Sequence, residues 1–344
     1  MKPVLNLKGV SFQYLKNAII EDISFQVNGG EIACLLGPSG CGKSTLLRLI
    51  AGFEQPQQGQ IYIHQNLVAS ADTMTPPQQR QVGMLFQNLA LFPHMTVNQN
   101  IGFGLSGHAD KQQRIDELLC LCRLEGLNHR YPHQLSGGQR QRVALARAMA
   151  PKPRIILLDE PFSSVESELQ NDLAHEVKQI LKSQGVSVLW VTHSIDEALA
   201  VADHIGIIWQ GRLMEWSTPT ELYEQPKSAV AVKFLNQANL ISGEMNEQGC
   251  VNSTIGCLNL VNEDQLTPHQ ATQVAIKQSQ LSLSLEQPTN GVVKSCVYQG
   301  GYYALTIDIG DKQRLKMHHN QALKPNTAIQ VKAITNNGLY GYQT

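Results

Sequence analysis

A glycine-rich loop is the feature of this sequence that most restricts its fold. The loop has the spacing G-x-x-x-x-G-K-S and consists of Gly37, Pro38, Ser39, Gly40, Cys41, Gly42, Lys43 and Ser44. The apolar run Ile32–Leu36 precedes it and a helix-forming stretch at 45–50 follows it, which predicts a buried strand, a tight loop and a helix. Glycines let backbone N–H groups approach phosphate oxygens, and the N-terminus of a helix favours an anion. The sequence therefore predicts a phosphate-binding loop.

The polar residues at the end of this loop have the chemistry of a nucleotide site. Lys43 offers a positive charge to the β- and γ-phosphates, Ser44 offers a hydroxyl to Mg²⁺, and Thr45 can reach the α-phosphate. A plain glycine turn is the alternative, but the flanking strand and helix are the context that the motif requires. We expect the loop to bind ATP with Mg²⁺.

A second motif supplies a metal ligand and a general base. The apolar run 155–158 leads directly to Asp159 and Glu160. A buried strand of this kind delivers Asp159 to the metal, and Glu160 can then accept a proton from the attacking water. An acidic pair at a helix N-terminus is the ordinary alternative, and the presence of the phosphate loop argues against it.

A third motif is a short segment before a strong helix former. The segment consists of Leu135, Ser136, Gly137, Gly138 and Gln139. Residues 140–150 follow as a predicted helix that Pro151 stops. Ser136 and Gln139 have the spacing of a capping box, but each glycine in the first turn costs ~1 kcal/mol relative to alanine. Uncovered amides at a helix N-terminus suit the docking of a phosphate.

These three motifs, in this order, resemble those of the ATP-binding cassette (ABC) family of transporter ATPases. The resemblance covers residues 1 to about 235 and implies an α/β fold: a RecA-like P-loop NTPase core with a helical subdomain at about 88–150. In that family two cassettes pair head to tail, and each ATP lies between the loop of one copy and the third motif of the other. By resemblance, the nucleotide held by a second copy of this chain would be contacted by Ser136, Gly137, Gly138 and Gln139.

The resemblance implies roles for three further residues. Tyr14 stands where the family places an aromatic that stacks on adenine, although a surface aromatic near a strand is a fair alternative. Gln87 matches the glutamine near Mg²⁺ and the attacking water. His193 matches the histidine that contacts the γ-phosphate; a lone histidine after a strand would ordinarily be structural, but this one lies downstream of Glu160.

One position departs from the family pattern. The family has an aspartate at the end of the segment that follows the glutamate of the second motif, which is Glu160 here. This chain has Glu166 at that position. Glu166 keeps the charge but adds one methylene, which could loosen the coupling between two ATP sites. We expect hydrolysis to persist because Asp159 and Glu160 are intact.

The character of the sequence changes after Leu235. Short alternating runs broken by Gly, Asn and Pro follow, as in 303–309, which is typical of half-buried strands. Gly300-Gly301 and residues 336–338 have the composition of turns. We expect a cassette at 1–236 and a small all-β domain at 237–344, similar to the OB-type, transport-associated (TOBE) regulatory barrel of importer ATPases.

Composition restricts the partners of the chain. Lys and Arg number 27 against 28 Asp and Glu, and a net charge of -1 gives no general attraction to nucleic acid or anionic lipid. The longest apolar stretches are far shorter than the ~20 residues that cross a bilayer. The seven cysteines are interpreted as free thiols in a reducing compartment. We expect a peripheral protein on the cytoplasmic face of the bacterial inner membrane, held there by a protein partner.

The segment that begins near Gly211 is similar to bacterial importer ATPases. This implies two copies of the chain, two integral membrane permease subunits and, indirectly, a periplasmic substrate-binding protein. Segments 91–94 and 234–240 look most like ferric cation importers. Polyamine, sulfate, thiamine, sugar and phosphonate importers share the architecture, so the cargo stays open. A soluble cassette ATPase of DNA repair or translation is the other alternative, but the chain shows no second cassette or basic arm.

One surface could receive the membrane partner. Leu91 and Phe92 would suit a groove that takes an apolar helix of a membrane subunit, or they could pack in the core beneath the helical subdomain. Gln87 precedes them closely, so it is a candidate point of transmission between that surface and the nucleotide.

Overall fold

The computed structural model describes residues 3–15, 17–105, 107, 110–163, 165, 167–235, 238–262, 266–310, 313–334 and 339–343. It divides into two compact units, Met1–Leu222 and Tyr223–Thr344. Strands of the first unit are β1 (Pro3–Tyr14), β2 (Asn17–Asn28), β3 (Ile32–Leu36), β4 (Gln58–Ile63), β5 (Asn66–Ser70), β6 (Val82–Leu85), β7 (Ile155–Asp159), β8 (Ser187–Thr192), β9 (His204–Trp209) and β10 (Arg212–Ser217). Its helices are α1 (Lys43–Ala51), α2 (Val97–Ile101), α3 (Lys111–Leu121), α4 (Gly137–Met149), α5 (Ser167–Ser183) and α6 (Ile195–Val201). The boundary between the two units falls within helix α7 (Pro219–Glu224).

A six-stranded sheet forms the centre of the first unit. Its order is β10-β9-β3-β8-β7-β6, and β9, β3, β8, β7 and β6 run parallel. Strands covered on both faces read as continuous apolar runs, and β3 and β8 are buried at every residue. The strands predicted at 32–36 and 155–158 are confirmed, and the alternation of strand and helix gives the predicted α/β class.

A four-stranded antiparallel sheet, in the order β2-β1-β4-β5, shares a core with helix α1. Leu46, Leu47, Leu49 and Ile50 of α1 are fully buried in that core. This i, i+1, i+3, i+4 spacing places the four side chains on one face of α1, and that face fixes the helix against the core. The loop at its N-terminus therefore stands on a rigid base.

In the described part of the chain, the α-helices α2, α3 and α4 lie between β6 and β7. Helix α2 begins at the capping box of Thr96 and Gln99, and helix α4 begins at that of Ser136 and Gln139. Each cap satisfies amides that the first turn leaves without a partner. The helix predicted at 140–150 is thus confirmed, and it begins three residues earlier, at Gly137.

Among its described residues, the second unit contains the end of α7, helix α8 (Ala229–Leu235) and ten strands. The strands are β11 (Ala238–Met245), β12 (Cys250–Ser253), β13 (Gly256–Asn259), β14 (Ala271–Lys277), β15 (Leu281–Ser284), β16 (Gly291–Tyr298), β17 (Tyr303–Asp308), β18 (Arg314–His319), β19 (Ala328–Ala333) and β20 (Tyr340–Gln343). They form two five-stranded sheets, β13-β12-β11-β14-β20 and β15-β19-β16-β17-β18, which share one apolar core. The predicted β character of this region is confirmed.

Local predictions in the second unit have different outcomes. Gly300 and Gly301 lie in the turn between β16 and β17, as predicted, and the alternation at 303–309 is a strand with Leu305 and Ile307 buried. The turn expected at 336–338 lies outside the described residues.

Cys250 and Cys257 form a disulfide with Cα atoms 5.9 Å apart. The expectation of seven free thiols is wrong there, because antiparallel pairing of β12 and β13 brings the two side chains together.

Among the described residues, no helix is both long and apolar enough to cross a membrane.

Candidate functional site

The glycine loop lies between β3 and α1 and depends on glycine at two positions. A Cβ on Gly37 would overlap the carbonyl oxygen of Ile208 in the neighbouring strand β9. Gly42 has φ 106°, which side chains rarely adopt, and a Cβ there would meet the carbonyl oxygen of Ile19 at 2.8 Å. The backbone therefore follows this path only with glycine, as the sequence predicted. Ser39 and Gly40 are exposed at the tip of the loop.

Lys43 folds back over its own loop. Its Nζ donates to the carbonyl oxygens of Gly37 at 2.7 Å and Pro38 at 2.9 Å, and the side chain is buried. The ammonium charge is thus held at the centre of the loop rather than in solvent. Cys41 Sγ lies 3.7 Å from it, and burial raises the pKa of the Cys41 thiol.

Ser44 and Asp159 meet at the base of the loop. The Ser44 hydroxyl donates to Asp159 Oδ1 at 2.8 Å. Burial raises the pKa of Asp159, and the hydrogen bond from Ser44 acts in the opposite direction. A hydroxyl and a carboxylate in contact are hard oxygen donors of the kind that Mg²⁺ takes. Thr45, the next residue along α1, is half-buried.

Gln87, Glu160 and His193 converge on one edge of the central sheet. They follow the carboxyl ends of β6, β7 and β8, which are neighbouring parallel strands. Such ends meet at the same edge, so residues distant in the chain become adjacent. The Gln87 amide donates to Glu160 Oε2 at 3.2 Å, and His193 Nδ1 lies 3.5 Å from the same oxygen.

Glu160 is held in a strained conformation. Its φ is 45°, in the left-handed region, and its N–H donates to the carbonyl oxygen of Val191 at 2.9 Å. Non-glycine residues in this region are uncommon and cluster at functional sites. The Glu160 side chain is 16% exposed and that of His193 is 54% exposed, so the carboxylate is sheltered while the imidazole remains accessible.

The segment Ser136 to Gln139 stands at the start of α4. Ser136 Oγ accepts from the Gln139 N–H at 3.3 Å, and Gln139 Oε1 accepts from the Ser136 N–H at 3.0 Å. The capping box that the sequence indicated is therefore complete. A Cβ on Gly137 would meet no atom within 4 Å, and one on Gly138 would meet only Leu173 at 3.9 Å. Contacts with the described residues do not explain why glycine occupies these two positions.

Tyr14 ends β1 and is 39% exposed. Its hydroxyl donates to Glu54 Oε1 at 2.8 Å, and its ring meets that of Phe12 edge-on at 4.7 Å. Burial, and then the hydrogen bond with Glu54, raises the pKa of Tyr14. Stacking on adenine stays a prediction for this residue.

Comparison with known proteins identifies the family to which this arrangement belongs. The family described as ABC transporter matches residues 20–163. The Fe(3+) ions import ATP-binding protein FbpC 2 of Haemophilus influenzae is 38% identical over 316 residues, which cover 89% of this chain and 88% of that relative. The chain belongs to the ABC transporter family, as one of its ATPases.

Other relatives of the cassette carry different names. The putrescine transport ATP-binding protein PotG of Escherichia coli is 39% identical, covering 85% of this chain and 79% of PotG. The sulfate/thiosulfate import ATP-binding protein CysA of Halalkalibacterium halodurans is 42% identical, covering 70% of this chain and 69% of CysA. A solved dimeric ATP-binding cassette in a post-hydrolysis state with ADP and Pi is 29% identical, with a TM-score of 0.54, covering 62% of this chain and 98% of that one.

Sequence reasoning missed one buried carboxylate beside the site. Glu197 is 4% exposed and accepts hydrogen bonds from Trp190 Nε1 at 2.6 Å and Thr192 Oγ1 at 2.5 Å. These bonds brace the cassette's turn from β8 to α6, which carries His193. The spacing of Ser194 and Glu197 is that of a capping box. This spacing could have identified Glu197 as a helix-capping residue, but it does not predict that the carboxylate binds Trp190 and Thr192.

Glu166, whose extra methylene departs from the family pattern, lies outside the described residues.

Proposed function

We propose that this ABC ATPase is the energy-coupling subunit of a bacterial importer and that the cargo of this importer is ferric iron. The observation that carries the proposal is the 316-residue alignment with the Fe(3+) import ATP-binding protein of Haemophilus influenzae. That alignment is longer than the first unit, Met1–Leu222, so it extends into the second. We assign residues 1–236 to the cassette and 237–344 to a TOBE-like regulatory domain.

In this proposal the loop binds ATP together with Mg²⁺. Loop amides and Lys43 hold the phosphates, and Ser44, Asp159 and Gln87 supply the metal's protein ligands. The oxygen donors of Ser44 and Asp159 fit a small hard cation, and Mg²⁺ takes only one or two carboxylates when phosphates provide other ligands. Bound Mg²⁺ would neutralise charge that develops on the phosphate oxygens.

Glu160 is the proposed general base of hydrolysis. It accepts the proton of the attacking water while the Gln87 amide, already directed at Oε2, orients the carboxylate. His193 Nδ1 lies 3.5 Å from the same oxygen, and its side chain is exposed enough to donate to the γ-phosphate. The strained φ of Glu160 fixes the carboxylate before the substrate arrives, which lowers the cost of reaching the reactive geometry.

A second copy of this chain is proposed to close the site. Ser136 and Gly137 are exposed, and the open space around Gly137 suits a ligand that the chain does not itself provide. In a head-to-tail homodimer the Ser136 to Gln139 segment would dock on the phosphates bound by the partner copy. The solved cassette that this chain resembles is dimeric.

The membrane partners are proposed to be two permease subunits, with a periplasmic binding protein acting through them and no nucleic acid involved. Leu91 and Phe92 are half-buried, and Phe92 packs against Phe103, which is 52% exposed. This small apolar surface suits the end of a permease helix. The chain would then work peripherally at the cytoplasmic face of the inner membrane.

The cargo can be tested by uptake. In cells that lack this chain, radiolabelled ferric iron uptake should fall to background, and the wild-type chain should restore it. Complementation with Glu160→Gln should not restore uptake, whereas Glu21→Gln, at an exposed ion pair with Arg212, should. Parallel assays with putrescine, sulfate, thiamine, a sugar and a phosphonate cover the other cargoes. Loss of one of these instead of iron would move the assignment to that importer, and loss of none would contradict the importer proposal.

A further inference from the structure

A single arginine joins helix α4 to the segment that follows Gln87. Arg147 donates through its two terminal nitrogens to the carbonyl oxygens of Ala90 at 2.6 Å and Leu89 at 2.8 Å. Its guanidinium also lies over the ring of Phe92, 5.4 Å from the centroid. Two hydrogen bonds from one planar, forked donor and one contact with an aromatic ring therefore attach this segment to α4.

The two residues that accept hydrogen bonds from Arg147 are strained. Leu89 has φ 59° and Ala90 has φ 43°, so two successive non-glycine residues are left-handed. Such a pair persists only when the surroundings hold it in place. Ala90 is exposed, so packing of its own side chain does not hold it. The Leu89 N–H donates to the Phe86 carbonyl oxygen at 2.8 Å, and the hydrogen bonds from Arg147 restrain the carbonyl groups of both residues.

The guanidinium of Arg147 is partly buried, and this burial costs hydration free energy. No ion pair among the described residues involves Arg147. Burial lowers the pKa of its guanidinium, which means that its charge has lost hydration. A partly desolvated cation satisfied by two peptide oxygens and a ring face is well suited to hold a defined turn.

The arginine connects two parts of the candidate site. Ser136 caps the N-terminus of α4, and at ~1.5 Å per residue Arg147 lies about 16 Å along the same helix. On the other side, Gln87 is two residues before Leu89 and donates to Glu160. Helix α4 can thus transmit a displacement between the segment that docks on the partner copy and the residue that contacts Glu160.

We propose that Arg147 is a positioning residue that clamps the strained Leu89–Ala90 turn to α4 and so makes the placement of Gln87 depend on that of Ser136. The proposal rests on the function proposed above and adds a route of regulation to the same site. When the partner copy or a permease moves α4, the clamp moves the turn. Hydrolysis is then favoured only when Ser136 and Gln87 are in place together.

The decisive variant is Arg147→Lys in the full chain. Lysine keeps the charge but presents one nitrogen instead of a fork, so the turn is held loosely. We expect kcat for MgATP to fall at least tenfold while KM changes less than twofold and the melting temperature stays near that of the wild type. Arg114→Lys is the matched control, because Arg114 donates to the carbonyl oxygens of Met149, the last residue of α4, and of Ala150, which follows it, and these bonds do not involve the turn. It should leave kcat unchanged.

Relief of strain provides a rescue test. Glycine adopts a positive φ without strain, so adding Ala90→Gly to Arg147→Lys should restore most of the lost kcat. Lys152→Gly is the control for rescue: it relieves an exposed residue at φ 52° that lies beyond the end of α4. It should restore nothing.

A further variant keeps the proposal testable if Arg147→Lys does not fold. Ala90→Val leaves the arginine intact but places a β-branched residue where φ is positive, and kcat should fall at least fivefold with KM unchanged. Wild-type kcat in both Arg147→Lys and Ala90→Val, or equal rescue by Ala90→Gly and Lys152→Gly, would overturn the clamp. Absence of hydrolysis in the wild-type chain would instead contradict the proposed function.

Discussion

The hydroxyl of Ser44 donates to the carboxylate of Asp159 across 2.8 Å, although the two residues are 115 positions apart in the chain. The contact joins the glycine loop on β3 and α1 to the end of β7. It places the proposed metal ligands beside Glu160, the neighbour of Asp159. The nucleotide site of this ATPase is therefore assembled by the order of strands in the central sheet rather than by any one motif.

Glu160→Gln should preserve ATP binding and slow hydrolysis by ~10³, about 4 kcal/mol of barrier. The amide keeps the shape of the side chain and can still accept from Gln87, but it cannot take a proton from water. Single-turnover hydrolysis and ATP titration separate the two effects. Turnover at the wild-type rate would remove Glu160 from its proposed role, and Glu21→Gln serves as the control.

Gly137→Ala should maintain or raise the thermal stability of the chain but weaken its ATP-driven association with a second copy. A Cβ there meets nothing within 4 Å, and alanine in the first turn of α4 is favoured over glycine by ~1 kcal/mol. The melting temperature should hold or rise, while ATP-driven association, measured by light scattering, weakens. Ser136→Arg should block association more strongly. The control is Gln112→Arg, at an exposed position of α3, which should not affect association. Undiminished association in both Gly137→Ala and Ser136→Arg would contradict a second copy at this segment.

Cys41 should react slowly with alkylating reagents, and MgATP should protect it further. Thiolates are the reactive form, and burial raises the Cys41 pKa above its ordinary value of 9.0. The thiolate fraction at a given pH is therefore lower than for a free thiol, and the labelling rate should still be climbing at pH 9. Mass spectrometry of the Cys41 peptide measures this, and labelling should inhibit hydrolysis. Labelling that leaves hydrolysis intact, or that MgATP does not slow, would count against the placement of the loop on the phosphates.

Arg80→Met should lower the free energy of unfolding by about 3 kcal/mol. Arg80 is 2% exposed and donates to the carbonyl oxygens of Leu49 and Ile50 at the end of α1. Burial lowers its pKa to about 10, so it remains charged at neutral pH. Methionine would leave those carbonyl oxygens buried without their donor. Urea denaturation measures the change, and the exposed Arg154→Met should stay within ~0.5 kcal/mol of the wild type.

Local chemistry was predictable wherever a short stretch of chain determines its own geometry. The loop from Gly37 to Ser44 has its conformation restricted by glycine, and the Ser136 and Gln139 cap closes within four residues. Apolar runs such as 155–158 predicted the buried strands of the sheet. For the same reason the change of character after Leu235 marked a region of strands, because alternating patterns have a period that the chain itself displays.

Contacts between distant segments were decided by the tertiary structure. No pattern in the sequence places Arg147 against Leu89 and Ala90, or the carboxylate of Glu197 against Trp190 and Thr192. The disulfide between Cys250 and Cys257 likewise depends on how two strands pair. The sequence by itself determined the loop, the caps and the chemistry of each site residue. Their convergence on Glu160 came from strand order and register, which depend on the packing of the whole sheet and not on any local run of residues.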